Sequence, residues 1–264
     1  MSIDLLTDEN SLRTGEVPPT RLGNVLASEW TKIRSVQSTL WTLASMFALI
    51  LGLALIADGY SYNRAEGGGY LGNGVGGFIV GQIPVVTLGV LVITSEYGTG
   101  MIRTTLTAYP RRVSLLTAKA MVFFALAFVL GTLATALQLC CGMVILGGQE
   151  DSPTLGQILL AVFGGGLYLA LMGLFALSVG TLLRHSAGAI SVMLGVLLLP
   201  FILALFLPTG MRELLLTYSP INMSASLYGS GTGDVGGWAL LGVLASATAV
   251  ILATACLAMR RRDV

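Results

Sequence analysis

Charge is scarce in this sequence: only 10% of its 264 residues are Asp, Glu, Lys or Arg, and 55% are hydrophobic. A soluble domain usually carries about a quarter charged residues, so water is not the main solvent of this chain. A mean hydropathy of +0.84 agrees. The net charge of +1 gives no basic excess for nucleic acid and no acidic excess for a solvating tail. The two lysines, Lys32 and Lys119, lie in no Gly-x-x-x-x-Gly-Lys-Ser/Thr loop, so nucleotide binding of the P-loop kind is not expected. His185 is the only histidine, no His-Glu-x-x-His occurs, and no convincing Ser–His pair or pair of intramembrane aspartates is present. That removes the main intramembrane protease designs. Cys140, Cys141 and Cys256 all sit in apolar runs and read as small buried hydrophobes. No metal or cofactor is expected of this chain.

What the sequence does have is long apolar runs, at 39–57, 75–94, 120–146, 157–182, 187–207 and 237–259. The shortest, at about 1.5 Å rise per residue, reaches roughly 28 Å, close to the hydrocarbon thickness of a bilayer. The run from Leu40 to Ala57 is apolar around its whole circumference, as a lipid-facing helix must be. Barrel strands would be about half as long and would alternate. The fold class expected is an all-α membrane protein with six transmembrane helices. The first 38 residues include Asp4, Asp8, Glu9 and Glu16 and no long apolar stretch, so the first span is read as an uncleaved anchor. None of the spans carries Asp, Glu, Lys or Arg at its centre, which speaks against ion-coupled secondary transport.

Orientation follows from the basic residues. Arg13, Arg21, Lys32, Arg34, Arg103, Arg111, Arg112, Lys119, Arg184, Arg260, Arg261 and Arg262 fall on one side; only Arg64 and Arg212 fall on the other, among Asp58, Glu66, Glu150, Asp151, Glu213 and Asp234. Both termini are therefore expected in the cytoplasm. Residues 1–19 read as a disordered tail and 260–264 as a basic one. Between them, Leu22, Val25, Leu26, Trp30 and Ile33 mark 20–38 as an amphipathic interfacial helix, resting on membrane lipid or on the protein's own cytoplasmic face. Small residues four apart, Gly77/Gly81, Ala187/Ser191/Gly195 and Ala245/Ala249/Ala253, permit close helix packing, and Pro84 and Pro200 should bend their helices.

The loop at 95–119 is too polar to cross a membrane. It carries Glu96, Gly98, Thr99, Arg103, Leu106, Pro110, Arg111 and Arg112 ahead of Lys119. With the polar helix before the first of six spans, and the Ala-Ser-Glu-Trp-Thr-Lys-Ile-Arg phrase ending at Arg34, this pattern resembles the permease subunits of type-2 ATP-binding-cassette exporters, most of all actinobacterial ones. The resemblance implies a bacterial plasma-membrane subunit with a cytoplasmic coupling helix at 95–119 that docks on a separate ATPase, which binds the ATP. It implies a smaller ATPase contact at Arg184-His185-Ser186, short re-entrant helices between Pro208 and Gly236, and a second permease copy, identical or related. Six spans with one set of coupling elements match half of a two-fold assembly.

Polar groups within the spans, Gln82, Thr132, Thr135, Gln138 and Ser191, fit either a substrate path or hydrogen bonds between helices. The otherwise apolar spans suit amphipathic or lipophilic cargo. A non-transporting membrane protein, an immunity or signalling scaffold that holds a cytoplasmic partner by the same loop, is the alternative reading.

Overall fold

The computed structural model describes residues 37–64, 69–100, 112–146 and 153–261. Every element among them is helical: α1 Gln37–Arg64, α2 Gly69–Gly72, α3 Gly74–Gly98, α4 Arg112–Leu146, α5 Leu155–Leu159, α6 Gly165–Leu183, α7 Ser186–Ala204, α8 Thr209–Thr217, α9 Pro220–Leu227 and α10 Gly237–Arg261. A π-helical turn, Leu160–Gly164, joins α5 and α6 into one rod. Six of these helices are long and apolar enough to cross a membrane, which makes this a multi-pass membrane protein.

Five of the spans extend beyond their apolar runs, whereas α7 stops at Ala204, short of residue 207. The first helix continues to Arg64 and so takes in Asp58, which the charge pattern had assigned to a loop; the third begins at Arg112 rather than at residue 120. Polar residues that find partners inside the bundle lengthen a helix past the point where its composition ceases to look lipophilic. The polar connection expected at 95–119 is correspondingly shorter, because 95–98 complete α3 and 112–119 open α4. The expected interfacial helix at 20–38 and the tail at 1–19 lie outside the described residues except for the start of α1, and 262–264 of the basic tail lie outside as well.

Helix α3 and the rod formed by α5, the π-helical turn and α6 form the centre. In their most apolar stretches 56% of residues are buried, against 17% for α1 and 22% for α7, whose outer faces are left to lipid or another protein. Glycine makes this centre possible. At residue 77 a Cβ would lie 2.5 Å from the Ile50 carbonyl oxygen of α1; at 89 it would run into the Gly173 carbonyl oxygen of α6; at 166 it would meet the Thr132 backbone nitrogen of α4 at 2.8 Å. Backbones this close leave no room for a methyl group. The Gly77/Gly81 pair thus serves packing within the chain, whereas Ala187, Ser191, Ala249 and Ala253 are exposed.

Helix ends are set locally. Thr154 and Gln157 form a reciprocal capping box. Ser219 caps α9, with Pro220 in its first turn. His185 Nδ1 accepts the Gly188 N–H at 3.0 Å and so caps α7. Both α3 and α7 continue through their prolines, Pro84 and Pro200. Between α7 and α10 the chain builds α8 and α9, tied down by Asn222. Its Nδ2 donates to the Thr217 and Thr232 carbonyls at 3.1 and 3.0 Å, and its Oδ1 accepts the Thr232 N–H at 2.7 Å.

Candidate functional site

Two groups of polar residues stand out against the apolar bundle. The first lies where α3 ends and α4 begins. Lys119 Nζ donates to Glu96 Oε1 at 3.0 Å, with both side chains almost wholly buried. A buried ion pair loses so much hydration that it contributes little net stability, but it fixes the two helices relative to one another. Beside it, the Arg184 guanidinium lies 5.3 Å from the centre of the Tyr97 ring, a cation–π contact between the ends of α6 and α3. Arg184 adopts a left-handed backbone, φ 55°, which is unfavourable for a residue with a Cβ, and its N–H closes α6 on the Gly180 carbonyl at 2.9 Å. Two contacts are thus made at the C-terminal end of α3, one to the start of α4 and one to the end of α6.

The residues expected to contact an ATPase divide accordingly. Glu96 is turned into the bundle, Gly98 and Thr99 are exposed, and the Thr99 hydroxyl donates to the Ser95 carbonyl at 2.8 Å. Arg184 is half-buried against Tyr97. Arg112 opens α4, while Arg103, Leu106, Pro110 and Arg111 lie outside the described residues. Sequence reasoning had no means of pairing Glu96 with Lys119 across 23 positions, and Tyr97 carried no motif at all.

The second group lies within the membrane-spanning part. Tyr168 Oη on α6 is 2.7 Å from the Gln82 amide of α3 and 2.8 Å from the Pro220 carbonyl oxygen of α9. A phenol has one proton. Both contacts are therefore served at once only when the Gln82 amide turns its Nε2 to the phenol oxygen and Tyr168 donates to Pro220. The Phe78 ring packs on both Tyr168 and Tyr228, with centroids at 5.7 and 5.2 Å. Replacing Tyr168 with phenylalanine should remove the buried partner of the Gln82 amide at about 1–3 kcal/mol. The check is a lower thermal unfolding midpoint in detergent; an unchanged midpoint would remove Tyr168 as the tie between α3, α6 and α9.

The other polar residues anticipated along a substrate path do not form one line. Thr135 is buried and its hydroxyl can donate across to the Val162 carbonyl at 3.1 Å, inside the π-helical turn, where the altered register exposes backbone acceptors. Thr132 Oγ1 and both amide atoms of Gln138 are buried without hydrogen-bond partners. Ser191 is exposed on α7, apart from the others. What the fold does supply is an apolar cavity of about 700 Å³ between α6, α7, α9 and α10, walled by residues such as Met172, Phe175, Val196, Pro200, Met223 and Leu244. The three cysteines are free thiols, and no cluster of three or more His, Cys, Asp or Glu is present among the described residues.

No protein-family model matches the chain, and no curated protein matches it. The functional reading therefore rests on its own residues.

Proposed function

We propose that this chain is the membrane permease subunit of a type-2 ATP-binding-cassette exporter, working in the bacterial plasma membrane with both termini in the cytoplasm. The observation that carries the reading is the junction of Glu96, Lys119, Tyr97 and Arg184. It ties the end of α3 to the start of α4 and to the end of α6, where the basic-rich stretch of sequence between α3 and α4 leaves and re-enters the bundle. A force applied to that connection would reach three helices at once rather than a flexible loop, as a coupling element requires.

In this reading a separate ATPase binds and hydrolyses the ATP, since this chain has no P-loop. Arg103, Leu106, Pro110, Arg111 and Arg112 face that ATPase, while Glu96 and Lys119 position the segment from inside. A second permease copy completes the pathway, and the exposed small-residue stripes of α7 and α10 suit its approach. The nearly all-apolar cavity beside Pro200 favours an amphipathic or lipophilic cargo.

Co-purification in mild detergent should recover an ATPase with Walker motifs. In reconstituted vesicles, reversing charge at both Arg111 and Arg112 should lower substrate-stimulated ATP hydrolysis roughly tenfold, the effect of losing about 1.4 kcal/mol of contact. A complex that never contains an ATPase would instead favour the scaffold reading, and unchanged coupling in the reversed variant would overturn the role given to Arg111 and Arg112.

A further inference from the structure

At the end of the bundle opposite Glu96, α1 carries Asp58 with no exposed surface. Asn73, just before α3, donates through Nδ2 to Asp58 Oδ1 at 3.0 Å, and Ser61 Oγ donates to Asn73 Oδ1 at 3.3 Å. The second carboxyl oxygen, Oδ2, is buried and has no hydrogen-bond partner among the described residues. The next residue after Asn73 is Gly74, and the Gln138 amide of α4 fills the space where a Cβ on residue 74 would stand. Gln138 is 1% exposed, and neither Oε1 nor Nε2 has a partner among the described residues. Two unsatisfied polar side chains therefore lie against consecutive residues at the α3 start, Asp58 of α1 against Asn73 and Gln138 of α4 against Gly74, and α1 packs directly on α4.

Leaving a carboxylate and an amide in this state costs several kcal/mol, and such groups persist where a ligand completes them. No ion pair reaches Asp58 among the described residues. The ligand's chemistry can be read from the atoms. Asp58 Oδ2 and Gln138 Oε1 are hard oxygen donors, with no imidazole or thiolate to select a transition metal. One carboxylate among neutral oxygens balances one positive charge, whereas calcium sites typically gather several carboxylates. We propose that Asp58 and Gln138 form a binding site for a small monovalent cation, with Asn73 holding the carboxylate in place and Gly74 admitting the amide. Bound there, the cation ties α1 to α4 across the start of α3. The inference does not depend on the transport reading.

A ligand bound by the folded state alone raises stability as its concentration exceeds its dissociation constant. The full-length protein in detergent is unfolded thermally while choline chloride is exchanged for sodium chloride at constant ionic strength and pH. The midpoint should rise with sodium, in proportion to the logarithm of its concentration once that exceeds the dissociation constant. Both Asp58→Asn and Gln138→Leu should abolish or greatly weaken that dependence, and the second serves if the first fails to fold. Equal midpoints in sodium and choline would overturn the site, as would sodium dependence that survives in both variants. A midpoint that follows pH and ignores sodium would also overturn it, assigning Asp58 a proton instead.

Discussion

Replacing Lys119 with alanine should destabilise the protein by about 3–5 kcal/mol, the usual penalty for removing one partner of a buried ion pair. Its ammonium lies 3.0 Å from Glu96 Oε1, and the two side chains are only 3% and 8% exposed, so solvent cannot take its place. The paired change Glu96→Gln with Lys119→Met should be milder than Lys119→Ala alone, because it removes the charge that the single variant strands. Denaturation in mixed micelles measures both. A single variant within 1 kcal/mol of the parent would show that the pair does not fix the junction. If the junction also transmits force, the paired variant should fold and bind the ATPase yet couple poorly, a separation that a purely structural role would not produce.

The second large effect is expected at the crossing of α3 and α6. A Cβ at residue 89 meets the Gly173 carbonyl oxygen, with the Ala176 Cβ at 3.2 Å, and backbone in a packed helix cannot step aside as a flexible side chain can. Gly89→Ala should therefore cost about 3 kcal/mol, at the upper end of typical overpacking penalties. Gly52→Ala on α1, where nothing lies within 4 Å, provides the contrast. It should be neutral or gain up to about 1 kcal/mol from the better helix propensity of alanine. Thermal unfolding of the two variants side by side tests the crossing directly; equal midpoints would mean that α3 and α6 are not locked at Gly89.

These effects separate what was legible in the chain from what was not. Gly77 and Gly81 were marked by their spacing and do pack against α1, but the same spacing in Ala187, Ser191 and Gly195 marks a face without a close-packed helix among the described residues. Spacing shows that a close approach is possible, not which helix makes it. Gln82 was recognisable as a polar residue in an apolar run; its partner Tyr168 lies 86 positions away and looked like any aromatic. Asp58 was read as a loop acid because composition alone could not reveal its partner Asn73 just before α3.

The sequence by itself determined the solvent, the number of spans and the sidedness of basic charge, because transfer into hydrocarbon is a sum over neighbouring residues that each stretch settles locally. Only the tertiary structure decided that Glu96 turns inward to Lys119, that Gly89 lies against Gly173, and that Asp58 and Gln138 flank one helix start. Those relations join residues from different helices. The apolar composition common to all six spans carries no information about which faces meet.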